Sequence, residues 1–350
     1  MALRREALGG PGRLRRLAVE AVGAGVVDVA DLDDFVDECD RLGGIAAPRA
    51  QDFVADFRLR FHTEVDTRLD GFSPDYVDQQ LALYREVSGR EIDQEANEQT
   101  AVDIDALTAV ANPYGTDDVT RIAHHARTIL TTVLVADVPA GARVLDMGCG
   151  WGLSTEMLGF CGATVTALDI NPSFCELVGR RSAARSLDVT TVVAAFDGIR
   201  SRDVFDLVLF YECLHHAIRP ADLLMHLAGS VAPGGKIALA GEPIQTEFWP
   251  HWGLRLDPQS VYCIRKFGWF ENGWSAEHLR ACFAQAGFDL SLFPGIGFMH
   301  GHVGVAVRID DEVIAPTPHW AVPPTPDPVP VPPPGGVERV ARAVARRIFR

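Results

Sequence analysis

Val144-Leu145-Asp146-Met147-Gly148-Cys149-Gly150-Trp151-Gly152 is the stretch on which the fold of this 350-residue chain turns. It reads as a short buried strand with an acidic residue near its end, then three glycines at alternate positions. Leu153 to Phe160 continue it as a helix. Glycine has no Cβ, so the backbone can turn sharply and a ligand can touch it. The first turn of the following helix offers N–H groups with no partner inside the helix. The spacing is Gly-x-Gly-x-Gly, whereas a dinucleotide fold uses Gly-x-Gly-x-x-Gly. That difference weighs against a dehydrogenase.

Around this centre, residues 141–309 alternate strand and helix patterns. Strands are expected near 143–147, 164–168, 190–194, 205–211, 236–241, 288–293 and 303–309. Helices are expected near 153–160, 173–184, 220–229 and 275–286. Short strands alternating with helices imply a parallel sheet covered on both faces. The last two strands leave no room for a helix, and Pro294-Gly295-Ile296-Gly297 reads as a turn, so the final strand should run antiparallel.

Residues 1–115 read as a helical N-terminal region, a substrate lid or an oligomerisation surface. Asp31 to Leu42 and Gln51 to Val65 carry apolar residues at helical spacing. Ser73-Pro74 starts a helix with a serine cap and proline in the first turn, and that helix should stop near Gly89. Residues 90–115 read as irregular, and Thr116 or Asp117 should cap a helix to about Ala136. Residues 242–274 are too long for a simple loop and are dense in aromatics, including Trp249, Trp252, Tyr262, Trp269, Phe270 and Trp274. They suit either a lid against substrate or a small satellite core. Pro316 to Pro334 fall in a proline-rich linker spanning 313–336. In 337–350, Val337, Val340, Val344 and Ile348 form one stripe among arginines, suited to an anionic membrane, an acidic partner or a solvated tail.

The net charge of −15 excludes a general nucleic-acid binder, which needs basic surface to neutralise phosphates. The seven cysteines are scattered, with no Cys-x-x-Cys, so neither a zinc site nor a disulfide framework is suggested. A reducing cytoplasm fits. No apolar run is long enough to span a bilayer. The N-terminal arginines before Leu17 to Val27 mimic a signal peptide, but Glu20 interrupts the apolar run. The expected location is cytoplasmic, with membrane-peripheral contact through the tail an open alternative.

Four further features line up behind the glycine stretch. Ala167-Leu168-Asp169-Ile170 closes the second strand, and Ala195-Phe196-Asp197 follows the third. Phe205 to Tyr211 lead into Glu212-Cys213-Leu214-His215-His216. Val231-Ala232-Pro233-Gly234-Gly235-Lys236 opens the fifth strand. In this order the set resembles the class I S-adenosylmethionine-dependent methyltransferases, over about residues 120–310. The resemblance implies a Rossmann-like seven-stranded sheet with an antiparallel last strand, S-adenosylmethionine as cofactor, and methyl transfer. Gly148, Gly150, Trp151 and Gly152 would then bring backbone against the methionine and ribose portions. Asp146 would meet the cationic amino group and Asp169 the ribose hydroxyls. Ile170, Phe196 and Asp197 would surround the adenine, with Tyr211 also on the cofactor side.

An alcohol acceptor must lose a proton. Histidine suits that task near neutrality, and His215 or His216 is the expected base, with Glu212 orienting it or touching substrate. Two adjacent histidines should not point the same way, so one is expected to be structural. Glu242 and His251 are second-line candidates, and His124-His125 read as solvated or packing residues. A divalent cation is the other way to acidify a hydroxyl. With no fixed ligand spacing among Glu212, His215, His216 and Glu242, no metal is expected. Residues 84–90 with Asn97-Glu98, and Gly241-Glu242-Pro243-Ile244 with Trp252 to Arg255, are similar to methyltransferases of bacterial polysaccharide and sugar modification. That similarity implies O-methylation of a sugar, glycolipid or oligosaccharide hydroxyl. The alternatives are O- or N-methylation of a small natural product and a non-catalytic S-adenosylmethionine-binding partner protein, and an oligomer remains open.

Overall fold

Phe205–Tyr211 (β6) shows why the sheet sits where it does. Val208 and Phe210 point into one core while Leu207, Leu209 and Tyr211 point into the other, so both faces of the strand are buried. Successive side chains of a strand alternate between faces, and an apolar run of this kind needs a cover on each. The computed structural model describes residues 24–198, 204–244, 249–294 and 302–309. The Pro-rich segment, the basic tail, the first 23 residues and the 295–297 turn lie outside them.

In chain order the strands are β1 (Val26–Asp28), β2 (Arg58–Arg60), β3 (Arg143–Met147), β4 (Thr164–Asp169), β5 (Val189–Val193), β6, β7 (Val231–Ala240), β8 (Trp252–Leu254), β9 (Asn272–Trp274), β10 (Phe288–Pro294) and β11 (His302–Arg308). Seven of them form one sheet in the order β10-β11-β7-β6-β3-β4-β5. β3 to β7 run parallel where they pair, and β11 is antiparallel to both neighbours. This is the Rossmann-like sheet with a reversed last strand expected from the sequence. Strand order reverses between β3 and β6, and such a switch point opens a crevice at the carboxyl ends of the strands.

The N-terminal helices are α1 (Leu32–Arg41), α2 (Pro48–Phe53), α3 (Pro74–Ser88), α4 (Gln94–Asn97) and α5 (Ile104–Ala109). They are followed by α6 (Val119–Val135), α7 (Leu153–Phe160), α8 (Pro172–Ala184), α9 (Pro220–Ala228), α10 (Pro258–Phe267) and α11 (Ala276–Gln285). Ser73 Oγ accepts from Tyr76 N at 3.2 Å and Gly89 ends α3 in the left-handed conformation, as the sequence implies. The expected helix over 51–65 does not form as such. It stops at Phe53, and Arg58–Arg60 pairs with Val26–Asp28 as a parallel strand. Phe57, Leu59 and Phe61 are half-buried while Arg58 and Arg60 are exposed. Phe53, Phe57 and Phe61 satisfy a period of four, whereas Phe57, Leu59 and Phe61 satisfy a period of two. Pairing with β1 selects the second. Asp118, not Thr116 or Asp117, caps α6.

The aromatic insertion is a core element. Trp252, Tyr262, Phe270 and Trp274 are buried in the same cluster as Phe35, Tyr76 and Tyr84 of the N-terminal segment. Hydrogen bonds stitch the two together. Tyr76 Oη donates to Trp252 O and Tyr84 Oη to Gly268 O, each at 2.6 Å, and Trp252 Nε1 donates to Gly71 O at 2.8 Å.

A second tie fastens α5 and the residues just after it to the sheet helices. Arg181 of α8 is fully buried. It pairs with Glu156 of α7 and donates to the carbonyls of Leu107, Val110 (3.0 Å) and Ala111 (3.2 Å). Removing one partner of such a pair leaves an uncompensated buried charge, typically at a cost of about 3–5 kcal/mol. Arg181→Ala is therefore expected to lose about that much stability in chemical denaturation and to open residues 104–111 to protease. Unchanged stability and cleavage would show that this tie is dispensable.

Candidate functional site

The turn after β3 and the turn after β6 lie side by side because Met147 pairs with both Leu168 and Phe210. Gly148 has φ +60, and a Cβ there would stand 2.8 Å from Cys213 Cβ. The Phe196 ring borders the same spot at 3.4 Å. Gly152 has φ +90, and a Cβ would lie 2.6 Å from Val178 of α8. These two glycines permit the turn and the close approach of its neighbours. The Trp151 ring is tilted against Phe174 (4.6 Å between ring centroids) and Tyr114 (5.9 Å).

Two carboxylates at this junction each keep one oxygen unpartnered and shielded from solvent. Asp146 is fully buried. Its Oδ2 accepts from Ser154 Oγ (2.8 Å) and Thr155 Oγ1 (2.6 Å), whereas Oδ1 has no hydrogen-bond partner. Burial pushes its carboxyl up to about 6 against those two hydroxyls, with Asp169 adding to the rise. Glu212 sits in the left-handed region at φ 52, costly for a residue with a Cβ. Its Oε1 is likewise unpartnered. Burial, then the charge of Glu242, pushes it up to about 7. His125 of α6 bonds Tyr211 Oη through Nδ1 and stands 3.9 Å from Glu212 Oε2. Burial lowers His125 to about 4, so it is neutral there. His125 was expected only to pack or face solvent. A histidine on an amphipathic helix carries no mark of the strand it will meet.

Asp169 receives Gly150 N at 2.9 Å on one oxygen and Asn171 N at 2.8 Å on the other. Each oxygen retains a further lone pair. The N-terminal segment crosses this edge. Gln99 Nε2 approaches Ile170 O at 3.5 Å, Asn171 Nδ2 donates to Thr100 O at 2.9 Å, and Gln94 Nε2 donates to His216 O at 2.7 Å. Asp197 lies in the short turn Phe196–Gly198, and its side chain is outside the described set.

The β6 turn is clamped by Glu242. One carboxylate oxygen accepts from Cys213 N (3.0 Å) and Leu214 N (2.9 Å), the other from His215 N and His215 Nδ1 (both 3.0 Å). Burial works against its ionised form, but His215 and the backbone donors prevail, and its carboxyl lies below the usual value. His215 Nε2 faces Glu271 Oε2 at 3.6 Å, and His216 Nδ1 faces Glu98 Oε1 at 3.6 Å. The two imidazoles lie side by side, centroids 4.4 Å apart and tilted 36°. The expectation that adjacent histidines point apart is thus corrected. The one-turn 3-10 helix Leu214–His216 and the carboxylates on either side turn both inward. Trp269 meets His216 edge-on at 6.3 Å. His251 is elsewhere, packed on Tyr76 and His278. Glu98 and Glu271 escaped the sequence reading of the site.

The arrangement offers a glycine turn, two carboxylates each with one shielded oxygen short of a partner, and a histidine–carboxylate cluster at one end of a doubly wound sheet. A family model described as "Methyltransferase domain" matches residues 145–239. The ubiquinone biosynthesis O-methyltransferase of Xanthomonas axonopodis pv. citri (strain 306) is 36% identical over 104 residues, covering 29% of this chain and 44% of that protein. Its counterpart in Xanthomonas campestris pv. campestris (strain B100) is 32% identical over 142 residues, covering 39% of this chain and 59% of that protein. The chain thus spans about half the length of these curated relatives. Among solved structures, the 1,6-didemethyltoxoflavin-N1-methyltransferase of Burkholderia thailandensis is 21% identical, with a TM-score of 0.42, covering 56% of this chain and 83% of that one. Residues 145–239, running from β3 through β7 of the Rossmann-like sheet, carry a methyltransferase domain.

Proposed function

We propose that this chain is an S-adenosylmethionine-dependent O-methyltransferase. The observation that carries the proposal is a pair of half-satisfied carboxylates where β3 and β6 end, the fully buried Asp146 and the half-buried Glu212, each with one solvent-shielded oxygen lacking a partner. A buried carboxylate without a partner is costly. In this reading Asp146 Oδ1 is completed by the cofactor's ammonium group, Asp169 accepts from the ribose hydroxyls, and Ile170 and Phe196 border the adenine. The cofactor supplies a methyl group on a sulfonium, an activated leaving group. The protein's task is to hold the acceptor oxygen in line and take its proton.

Glu212 suits the second task best. A general base works best when its pKa lies near the working pH, and burial has brought this carboxyl there. His215 has one ring nitrogen engaged by Glu242 and the other turned to Glu271, so its ring serves to hold the turn. For the acceptor we retain a carbohydrate hydroxyl, on the similarity of residues 84–98 and 241–255 to sugar-modifying methyltransferases. A small phenolic acceptor is the second reading, favoured by the O-methyltransferases among the relatives.

Four outcomes test the proposal. Purified protein with methyl-labelled cofactor, offered sugar nucleotides, glycans and phenols, is expected to label a hydroxyl oxygen. Labelling of amines alone would contradict O-transfer. Glu212→Gln is expected to slow turnover by about 10²–10⁴-fold with affinity for S-adenosylhomocysteine unchanged. In the native protein kcat should fall about tenfold per pH unit below about 7, as Glu212 gains its proton. A variant that loses ligand affinity instead of rate would assign Glu212 to the cofactor. For Asp146 the sign is opposite to that of an ordinary paired aspartate in the free protein. Its carboxyl is protonated below about 6, and an ammonium ligand binds the ionised form, so binding at lower pH must release a proton. Affinity for S-adenosylhomocysteine should therefore rise with pH to about 6 and then level, and Asp146→Asn should flatten the profile. A native profile already flat across pH 5–7 would remove Asp146 from the site.

A further inference from the structure

We propose that Glu98, His215, His216 and Glu271 form a binding site for one divalent transition-metal ion. The site stands independently of the methyl-transfer reading. One ligand atom each from His215, His216 and Glu271 lie within 4.8 Å of one another. Glu98 Oε1 stands 3.6 Å from His216 Nδ1. Four ligands thus come from three segments distant in the chain: the N-terminal segment, the β6 turn and the aromatic insertion.

The protonation pattern leaves a gap that a cation fills. Glu242 accepts three backbone N–H groups, so its carboxylate acts as an acceptor and His215 Nδ1 carries the proton toward it. In the neutral ring Nε2 then presents a lone pair to Glu271 Oε2, and two lone pairs facing each other repel. At 3.6 Å the pair is too far apart for a normal N–H···O bond. It matches two ligands sharing one tetrahedral ion, which at metal–ligand lengths of about 2.0–2.2 Å lie about 3.4 Å apart. His216 Nδ1 and Glu98 Oε1 repeat the same separation. Both of those atoms are shielded from solvent and have no hydrogen-bond partner. Unmet polar atoms in such a place need a ligand or an ion.

Charge points the same way. Three carboxylates, Glu98, Glu242 and Glu271, surround the imidazoles. Among the described residues the ion pairs of this cluster bring in one guanidinium, Arg255, 3.8 Å from Glu271 and shared with Asp257 at 3.0 Å. A dication balances what remains. The donor set of two imidazoles and two carboxylates suits zinc, cobalt, manganese or ferrous iron over magnesium or calcium, which prefer oxygen alone. Glu242 on His215 is the outer carboxylate that metal-bound histidines commonly carry. Bound there, the ion would tie the N-terminal segment and the insertion to the β6 turn beside Gly148. If it keeps an open position, acceptors with neighbouring hydroxyls, whether a sugar diol or a catechol, share the chemistry to chelate it.

The test is a cobalt titration of the full-length protein after dialysis against a chelator, followed by visible absorption and denaturation. The expected result is one equivalent of Co²⁺ per chain with a d–d band, displaced by Zn²⁺, and a raised unfolding midpoint. Glu271→Gln and Glu98→Gln preserve side-chain size. Each is expected to weaken binding at least about tenfold while the far-ultraviolet circular dichroism stays native. Absence of stoichiometric binding in the native protein overturns the proposal, with no variant needed. Equal binding in both variants overturns it too, since the ion would then sit on other histidines or cysteines.

Discussion

The carboxylate of Glu242 is the contact on which the site depends. It leaves the end of β7, crosses to the neighbouring turn and receives three consecutive backbone N–H groups and the ring of His215. A charge this deeply buried persists only with such a set of donors. The bonds fix Cys213, whose side chain leaves room for no residue but glycine at 148. They set Glu212 in its strained conformation one residue earlier, and they rotate His215 toward the insertion. The glycine turn, the elevated carboxyl and the histidine pair are thus consequences of one clamp between adjacent strands.

The scaffold around the clamp divides labour between rigid and added parts. The sheet brings β3 and β6 together at the switch point, which any Rossmann-like fold does. The N-terminal segment and the insertion lie outside residues 145–239, and they share one core through Tyr76, Tyr84, Trp252 and Phe270. That shared core carries Glu98 and Glu271 to the histidines. It also lays Gln94, Gln99 and Thr100 across the end of the sheet.

Much of this was legible in the sequence. The β3 turn, all seven sheet strands, the reversed last strand and the Ser73 cap follow from local patterns of two, three and a half, or fixed spacing. What was hidden is long-range. Nothing near Glu98 marks it as a neighbour of His216, more than a hundred positions away. His125 sits on a helix whose periodicity is fully met by packing, so its bond to Tyr211 leaves no trace. Phe53 to Phe61 fit two periods at once, and only the partner strand β1 resolves them. The aromatics of 242–274 suggested a surface for substrate with the same force as a core, because burial of an indole is decided by what covers it.

The crevice at the ends of β3 and β6 is proposed to hold the methyl donor beside Glu212. A crystal structure with S-adenosylhomocysteine tests it most directly. The expected result is the ligand's amino group on Asp146 Oδ1, its ribose hydroxyls on Asp169 and its sulfur turned toward Glu212. A ligand bound away from this crevice, or one whose sulfur faces away from the β6 turn, would contradict it.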